Sequence, residues 1–322
     1  MNSTQQWQNV TWFEVDEHQD GQRIDNFLFS RLKGVPKSRI YRLIREGQVR
    51  VNKKRIKAET KLAIGDQIRV APIRYEIKEE TDAPVSDKVA QSLLSRIVYE
   101  DEGLMVVNKP SGIAVHGGSC VAYGLIEGLR AASGKKYLEL IHRIDRDTSG
   151  LVMISKKRST LKLLQDLLRE HKIKKTYVAV VKGQVSLDKQ LINAPLLRYE
   201  LANGERRVCV SKDGKESKTQ WNVQERFMHG TLVHASPLSG RTHQIRVHGL
   251  SIGHPLIGDD KYGHETTYKG PKPRRLCLHA MRLEIPGYAP IEAPMPEDMQ
   301  SLVAQLRAQK ADKVVVSDKD DE

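Results

Sequence analysis

The stretch His142-Arg143-Ile144-Asp145-Arg146-Asp147-Thr148-Ser149-Gly150, followed at once by Leu151-Val152-Met153-Ile154, restricts this chain more than any other part of it. An apolar segment, Tyr137 to Ile141, enters a turn crowded with charge, and a second apolar segment leaves it through Gly150. The pattern puts Asp145 at a strand end, between two arginines. Positive charge on both sides favours an ionised carboxylate, which can act as nucleophile or base. Taken by itself, a loop of this composition is more simply read as a solvated surface turn.

At 322 residues the chain is long enough for a substantial core and for two domains. Its formal net charge of +13 points to a polyanionic partner, either nucleic acid or an acidic membrane surface. The distribution of that charge is informative, because Gly21 to Tyr75 holds 15 Lys and Arg against 4 Asp and Glu. The partner is therefore expected to be gripped near the N-terminus. No apolar run approaches the roughly 20 residues needed to span a bilayer. Met1-Asn2-Ser3-Thr4-Gln5-Gln6 also lacks the charged and apolar regions of a signal peptide, so a cytoplasmic protein with no membrane partner is expected. Cys120, Cys209 and Cys277 lie far apart without a CxxC pair, which suggests neither a disulfide framework nor a thiolate zinc site.

Residues 21–82 read as one compact unit. Two helical patterns, Arg23 to Leu32 and Lys37 to Glu46, precede short strand-like runs. In the second helix Ser38 is the expected N-cap. Ile40, Leu43 and Ile44 share one face and Arg39, Arg42 and Arg45 recur on a neighbouring one, so one side packs while the other meets phosphate. Gly47 suits a left-handed helix end, Gln48 to Asn52 alternates as a strand, and Lys53-Lys54-Arg55 makes a basic turn. With Gly65-Asp66-Gln67-Ile68 opening the last strand, the unit resembles a small RNA-binding module shared by a ribosomal small-subunit protein and tyrosyl-tRNA synthetases. The resemblance implies RNA contacts from Arg39, Arg42, Arg45, Lys53, Lys54 and Arg55, with an affinity that falls steeply with salt.

From Pro72 to Ser95 the sequence is charged and shows no sustained apolar period, and a linker is expected over 83–95. Beyond it, strand-like runs at Leu104 to Val107, Leu151 to Ile154, Tyr177 to Val181, Thr231 to Ala235 and Leu278 to Ile285 are interspersed with helical patterns such as Ser159 to Glu170. The absence of regular βαβ alternation argues for an α+β domain over 96–310, with a mixed, largely antiparallel sheet. Pro296 to Gln309 reads as a final helix, and a disordered tail is expected over 311–322.

A second dense segment, Ser239-Gly240-Arg241-Thr242-His243-Gln244-Ile245-Arg246-Val247-His248, is too polar for a core helix. Its two histidines lack HExxH spacing and a third ligand, so no metal site is expected. The Gly240 to Arg241 junction instead suits the opening of a helix whose N-terminus faces an anion. Lys174-Lys175-Thr176-Tyr177 sets one aromatic at the start of a strand, where pattern alone makes it a core residue.

Together these segments resemble the large-ribosomal-subunit family of pseudouridine synthases. The first matches the family's H-R-[LI]-D-x-x-T-S-G signature, which implies that Asp145, not Asp147, is the nucleophile. The Gly-Arg-Thr-His-Gln segment, continued through Gly253 to Gly263, resembles a second motif and implies that Arg241 pairs with Asp145, while His243 and Arg246 orient the loop or meet phosphate. Lys175-Thr176-Tyr177 resembles a Lys-x-Tyr element, implying that Tyr177 stacks on the target base, a contact worth roughly 1 to 3 kcal/mol. Asn108-Lys109-Pro110-Ser111-Gly112 with Val115-His116 resembles a structural, substrate-adjacent motif, and Leu278-His279-Ala280 a pocket-lining one. Arg143 is expected among the RNA contacts.

The resemblance implies isomerisation of several uridines in 23S rRNA by an enzyme that needs no cofactor, and a monomer is the default expectation because the sequence shows no coiled-coil or apolar interface pattern. Asp145 would attack the anomeric carbon or uracil C6, or deprotonate the sugar, and Tyr177 or a water it positions would remove the C5 proton. Three other readings compete: a tRNA or other rRNA pseudouridine synthase, a non-catalytic ribosome-assembly factor that binds RNA, and a glycoside hydrolase. The hydrolase needs an acid and base pair, for which this loop offers only Asp145 and Asp147.

Overall fold

The computed structural model describes residues 9–17, 19–32, 35–73, 87–117, 123–135, 137–263 and 267–316, with backbone only at 87–90 and 310–316. The chain divides into two units, Met1–Pro84 with Lys157–Thr160, and Val85–Lys156 with Leu161–Glu322. In the first, β1 (Thr11–Glu14), α1 (Ile24–Arg31) and α2 (Lys37–Arg45) precede β2 (Val49–Val51), β3 (Lys54–Arg55) and β4 (Gln67–Val70). The strands form an antiparallel sheet in the order β1-β4-β2-β3. Ile40, Leu43 and Ile44 of α2 pack with Phe27, Leu28, Val49, Ile68 and Val70 into one core, as the periodicity requires.

That core fixes the outward face of α2, on which Arg42 and Arg45 are exposed and Arg39 is half-buried. Gly47, with φ of 72°, terminates the helix. The start differs from expectation: Pro36 holds the cap position and Ser38 lies inside the first turn. A proline fits there because it has no amide hydrogen to leave unpaired. Asn52 and Lys53 both have positive φ, which is the two-residue turn geometry that matches strand twist, and they join β2 to β3.

The second unit runs α3 (Asp87–Leu94), β5 (Ile97–Glu100), β6 (Leu104–Lys109), α4 (Leu125–Ser133), β7 (Glu139–Leu140), β8 (Ser149–Ser155), α5 (Arg158–Arg169) and β9 (Lys174–Lys182). It continues through β10 (Lys189–Asn193), β11 (Leu196–Glu200), β12 (Arg206–Val210), β13 (Lys218–Arg226), β14 (Gly230–Pro237), α6 (Gln244–Ser251), β15 (Leu278–Glu284), β16 (Ile291–Glu292) and α7 (Glu297–Val316). A long sheet has the order β10-β13-β14-β9-β15-β8-β6-β5, with β7 on β8, β16 on β15, and β11-β12 as a separate ribbon. Its only parallel pair among the described residues is β15 with β8. This is an α+β fold.

All seven residues of β8 are buried because alternate side chains enter two cores. Val152 and Ile154 join Leu125 and Leu129 of α4 and Ile245 of α6, while Leu151 and Met153 join Leu161 and Leu164 of α5. β9 alternates likewise. Tyr177, Ala179 and Val181 share the α6 side, and Val178 and Val180 meet Met299 and Leu302 of α7. At the β8–β15 contact a Cβ on Gly150 would stand 2.3 Å from the Ala280 carbonyl oxygen, so only glycine allows the two backbones to meet.

Two expectations change. Within the supposed linker 83–95, Asp87–Leu94 is helical and Leu93 is buried in the core that contains α4. Burial of one or two side chains stabilises a short helix that has little periodicity of its own. Residues 83–86 lie outside those described. The final helix starts at Glu297 and extends to Val316, through the first half of the supposed disordered tail, with 317–322 outside the described residues. Met299, Leu302, Val303 and Leu306 anchor it, and propagation from a packed segment is easier than nucleation.

Candidate active site

The charged loop is the connection between β7 and β8, and Asp145 lies within it, four residues ahead of β8 rather than at the strand end. The loop is held from three directions. His142 Nε2 accepts the amide proton of Met153 at 3.0 Å, and burial, together with the charge of Lys175, pushes the His142 pKa down to about 3. The Arg146 carbonyl accepts from the Gly112 amide at 2.9 Å and from Lys109 Nζ at 2.9 Å. Ser111 Oγ donates to the Asp147 carbonyl at 2.6 Å. The Asn108 to Gly112 motif thus grips the catalytic loop through its backbone. Lys109 is fully buried and also donates to the carbonyls of Pro110 and Ile113. Burial draws its pKa to about 7, against the opposing pull of Asp147 and Asp145.

The positive charge near Asp145 comes from α6 and not from its sequence neighbours. Arg146 turns to Asp147 at 3.1 Å, and Arg143 is exposed. Arg246 NH1 stands 3.9 Å from Asp145 Oδ2, and His243 Nε2 stands 4.0 Å from Oδ1. Arg246 is fixed by a two-point bond to Asp259, Nε to Oδ2 at 2.7 Å and NH2 to Oδ1 at 2.6 Å. Its guanidinium also lies 5.2 Å from the centre of the Tyr262 ring. Burial opposes the Arg246 charge, yet the bonds and charge of Asp259 hold its pKa above the usual value. Asp259 in turn accepts from the amides of Lys261 and Tyr262, which leaves NH1 of a rigid arginine for Asp145.

His243 occupies the N-cap of α6 in a left-handed conformation, φ 53°. The Tyr262 hydroxyl accepts the Val208 amide proton at 3.0 Å and lies 2.7 Å from His243 Nδ1, which leaves Nε2 facing Asp145. Burial lowers the His243 pKa, and the opposing charge of Asp145 does not reverse it.

The expectation that this segment is too polar for a core helix does not hold. Six consecutive residues of α6, Gln244 to Gly249, are buried. Every polar group pairs: Gln244 with Arg241 N, Ser239 Oγ, Lys218 O and Thr219 Oγ1, and His248 with Thr219 Oγ1 and the Ala194 carbonyl. Buried polar side chains are tolerated when hydrogen-bonded. The helix also opens three residues later than the Gly240 to Arg241 junction.

A cleft of about 580 Å³, counted to its open mouth, brings the expected residues together, with Asp145, Tyr177, Arg241, Arg143, His243, Arg246, Lys175, Thr148 and Leu278 on its walls. Asp145 keeps 19% of its side chain exposed there. Tyr177 lies in the same wall, and burial, reinforced by the Asp145 charge, raises its pKa well above the ordinary phenol value. The neutral phenol is therefore favoured at neutral pH. Arg241 is exposed and its Nε donates to the Glu216 carbonyl at 3.2 Å, so Arg246 holds the position beside Asp145 that the resemblance gave to Arg241. The reason is helical geometry: Arg241 precedes α6, whereas Arg246 lies within its buried turn. Lys175, part of the Lys-x-Tyr element but given no role there, also lines this cleft. Its spacing of two from Tyr177 along one strand was the available signal.

Leu278 of the pocket-lining motif lines the cleft, whereas its neighbour His279 is buried and does not. Ser149 Oγ lies 2.9 Å from its Nδ1, and burial pushes its pKa down to about 4. In the other unit, Arg42 pairs with Glu46 at 2.6 Å, and Lys53 in the β2–β3 turn is exposed together with Lys54 and Arg55 of β3. Among the described residues no group of three or more His, Cys, Asp or Glu could hold a metal ion, and no helix is long and apolar enough to cross a membrane.

Residues 103–251 match the RNA pseudouridylate synthase family model, and residues 22–68 match the S4 domain. The chain is 50% identical over 308 residues to ribosomal large subunit pseudouridine synthase C of Yersinia pestis, covering 92% of this chain and 96% of that protein. It is 50% identical over 299 residues to the protein of the same name from Escherichia coli strain K12, covering 89% and 93%. Among solved structures, human RNA pseudouridylate synthase domain containing 1 aligns with a TM-score of 0.53 and 26% identity, over 66% of this chain and 94% of that one.

Proposed function

The chain belongs to the RNA pseudouridylate synthase family, and on that premise we propose that it isomerises uridines to pseudouridine in the 23S RNA of the large ribosomal subunit, with Asp145 as nucleophile. One observation carries the assignment of Asp145: it is the carboxylate in a cleft that also holds Tyr177, and it faces an arginine that is itself immobilised by a buried carboxylate. In the reaction the C1′–N1 bond breaks, C1′–C5 forms, the C5 proton leaves and N1 gains one, so no atom is gained or lost overall.

The nucleophile is paired but not consumed by its partner, because Arg246 spends its two-point bond on Asp259 and reaches Asp145 only at 3.9 Å. Asp145 stays free to attack the anomeric carbon or uracil C6, or to take a sugar proton, while Arg246 attracts its charge. Tyr177, in the cleft with Asp145, supports the extruded base by stacking. Arg241, at the exposed mouth, contacts RNA.

Extruding a base costs a few kcal/mol. Phosphate contacts from Arg143 and, in residues 21–82, from Arg39, Arg42, Arg45, Lys53, Lys54 and Arg55 offset that cost. Residues 96–310 carry the chemistry. In this reading the enzyme works as a monomer, in the cytoplasm with its RNA.

The test is release of tritium from large-subunit rRNA labelled at uridine C5. Release by the wild-type protein and none by Asp145→Asn is expected. Binding without release would favour an assembly factor, free uracil a glycosidase, and release from tRNA alone a different substrate.

A further inference from the structure

Behind the catalytic cleft lies a larger groove, about 1420 Å³ counted to its open face, and the two share Arg143, Lys175, Pro237, Ser239 and Gly240. Lys174, Lys175, Arg143 and His171 line the groove, and its one carboxylate, Glu284, already pairs with Arg282 at 3.3 Å. The groove therefore carries Lys174, Lys175 and Arg143 against one carboxylate that is already paired, and it is continuous with the place where Asp145 sits.

Lys175 stands at the junction. It precedes Tyr177 by two residues on β9, so both side chains leave the strand on the same side and both line the cleft. Its ammonium comes within 3.9 Å of where a Cβ on Gly240 would stand, beside the opening of the turn that leads to α6. It is only partly exposed, yet it makes no hydrogen bond or ion pair among the described residues. Of the cations near Asp145, Arg246 is committed to Asp259 and Arg146 to Asp147. A half-buried ammonium without a partner is costly unless an anion arrives to meet it.

We propose that Lys175 binds the backbone phosphate adjoining the extruded uridine, and that the groove behind it carries the flanking nucleotide of the same RNA strand. The inference rests on the synthase reading and assigns a substrate contact to one residue. Burial lowers the Lys175 pKa, and a phosphate beside it would oppose that shift.

The experiment uses the full chain, an rRNA stem-loop around a uridine that it modifies, and copies of that stem-loop with single methylphosphonate linkages next to the target. In wild type, neutralising one adjoining phosphate is expected to weaken binding roughly ten- to hundredfold, the range for a hydrogen bond to a charged group. Lys175→Met should weaken binding of the natural RNA to a similar degree, lower the slope of affinity against salt by about 1, and make that methylphosphonate harmless. Lys175→Arg should restore binding. An unchanged methylphosphonate penalty in Lys175→Met, or no sensitive linkage in wild type, overturns the inference. The wild-type scan stands even where Lys175→Met folds poorly. If wild type makes no pseudouridine in any rRNA stem-loop, the synthase reading falls first and this inference with it.

Discussion

Arg246 shows how a single side chain joins the structure of this site to its chemistry. It bonds Asp259 at two points and faces Asp145 with what remains, so its removal strands two carboxylates. Arg246→Met should cost about 3 to 5 kcal/mol of stability, the range for breaking a buried pair, and be seen as a lower denaturation midpoint. Arg246→Lys keeps a charge but loses the fork, and should retain the fold while lowering kcat about a hundredfold or more. Arg241→Ala, on the exposed side, should leave the midpoint unchanged and act on KM more than kcat. The reverse ranking in steady-state kinetics would return Arg241 to the position beside Asp145. Asp145 and Tyr177 were legible in the sequence because their motifs are local. The Arg246–Asp259 bond and the Tyr262–His243 contact were not, since each spans 13 or more residues and only the fold closes them.

At the scale of elements, the junction of β8 and β15 is the most demanding contact. Gly150→Ala would press a methyl group against the Ala280 backbone at a φ of 113°, so the pair must separate or the loop must move. Thermal melts should show a loss of several kcal/mol, in line with strain at a special backbone position. An unchanged melting point would mean that the pair is looser than its geometry. For α2, Arg39→Ala with Arg45→Ala should reduce the salt slope of RNA affinity by about 2, because each phosphate contact releases about one counterion. Elements with a strong period, such as α2 and β8, were readable from pattern alone. α3 was not, because its support is the tertiary burial of Leu93, and α6 was misread, because hydrogen-bond partners on β13 make its polar face fit a core.

The whole molecule responds to pH through groups that the fold keeps neutral. His142 and His279 are pushed down to about 3 and 4, so between those values and 6.5 the unfolded chain binds protons that the folded one does not. Their stabilising contribution is complete above pH 6.5 and is lost as pH falls toward 4. His279→Gln should flatten that slope by up to one proton, roughly 1.4 kcal/mol per pH unit. Denaturant titrations between pH 4.5 and 7 measure it, and an equal slope in the variant would contradict the burial of His279. The α+β architecture followed from the absence of βαβ alternation, whereas the ten-stranded sheet and the parallel β8–β15 contact did not, since strand order depends on pairings that no local pattern records. The most direct test of the account is pseudouridine mapping of total RNA from cells that carry either the wild-type protein or Asp145→Asn, using a chemical adduct that stops reverse transcriptase. The account predicts discrete stops in 23S rRNA that vanish in the variant. Stops that persist with Asp145→Asn, while disappearing when the protein is deleted, would contradict the role of Asp145 as nucleophile.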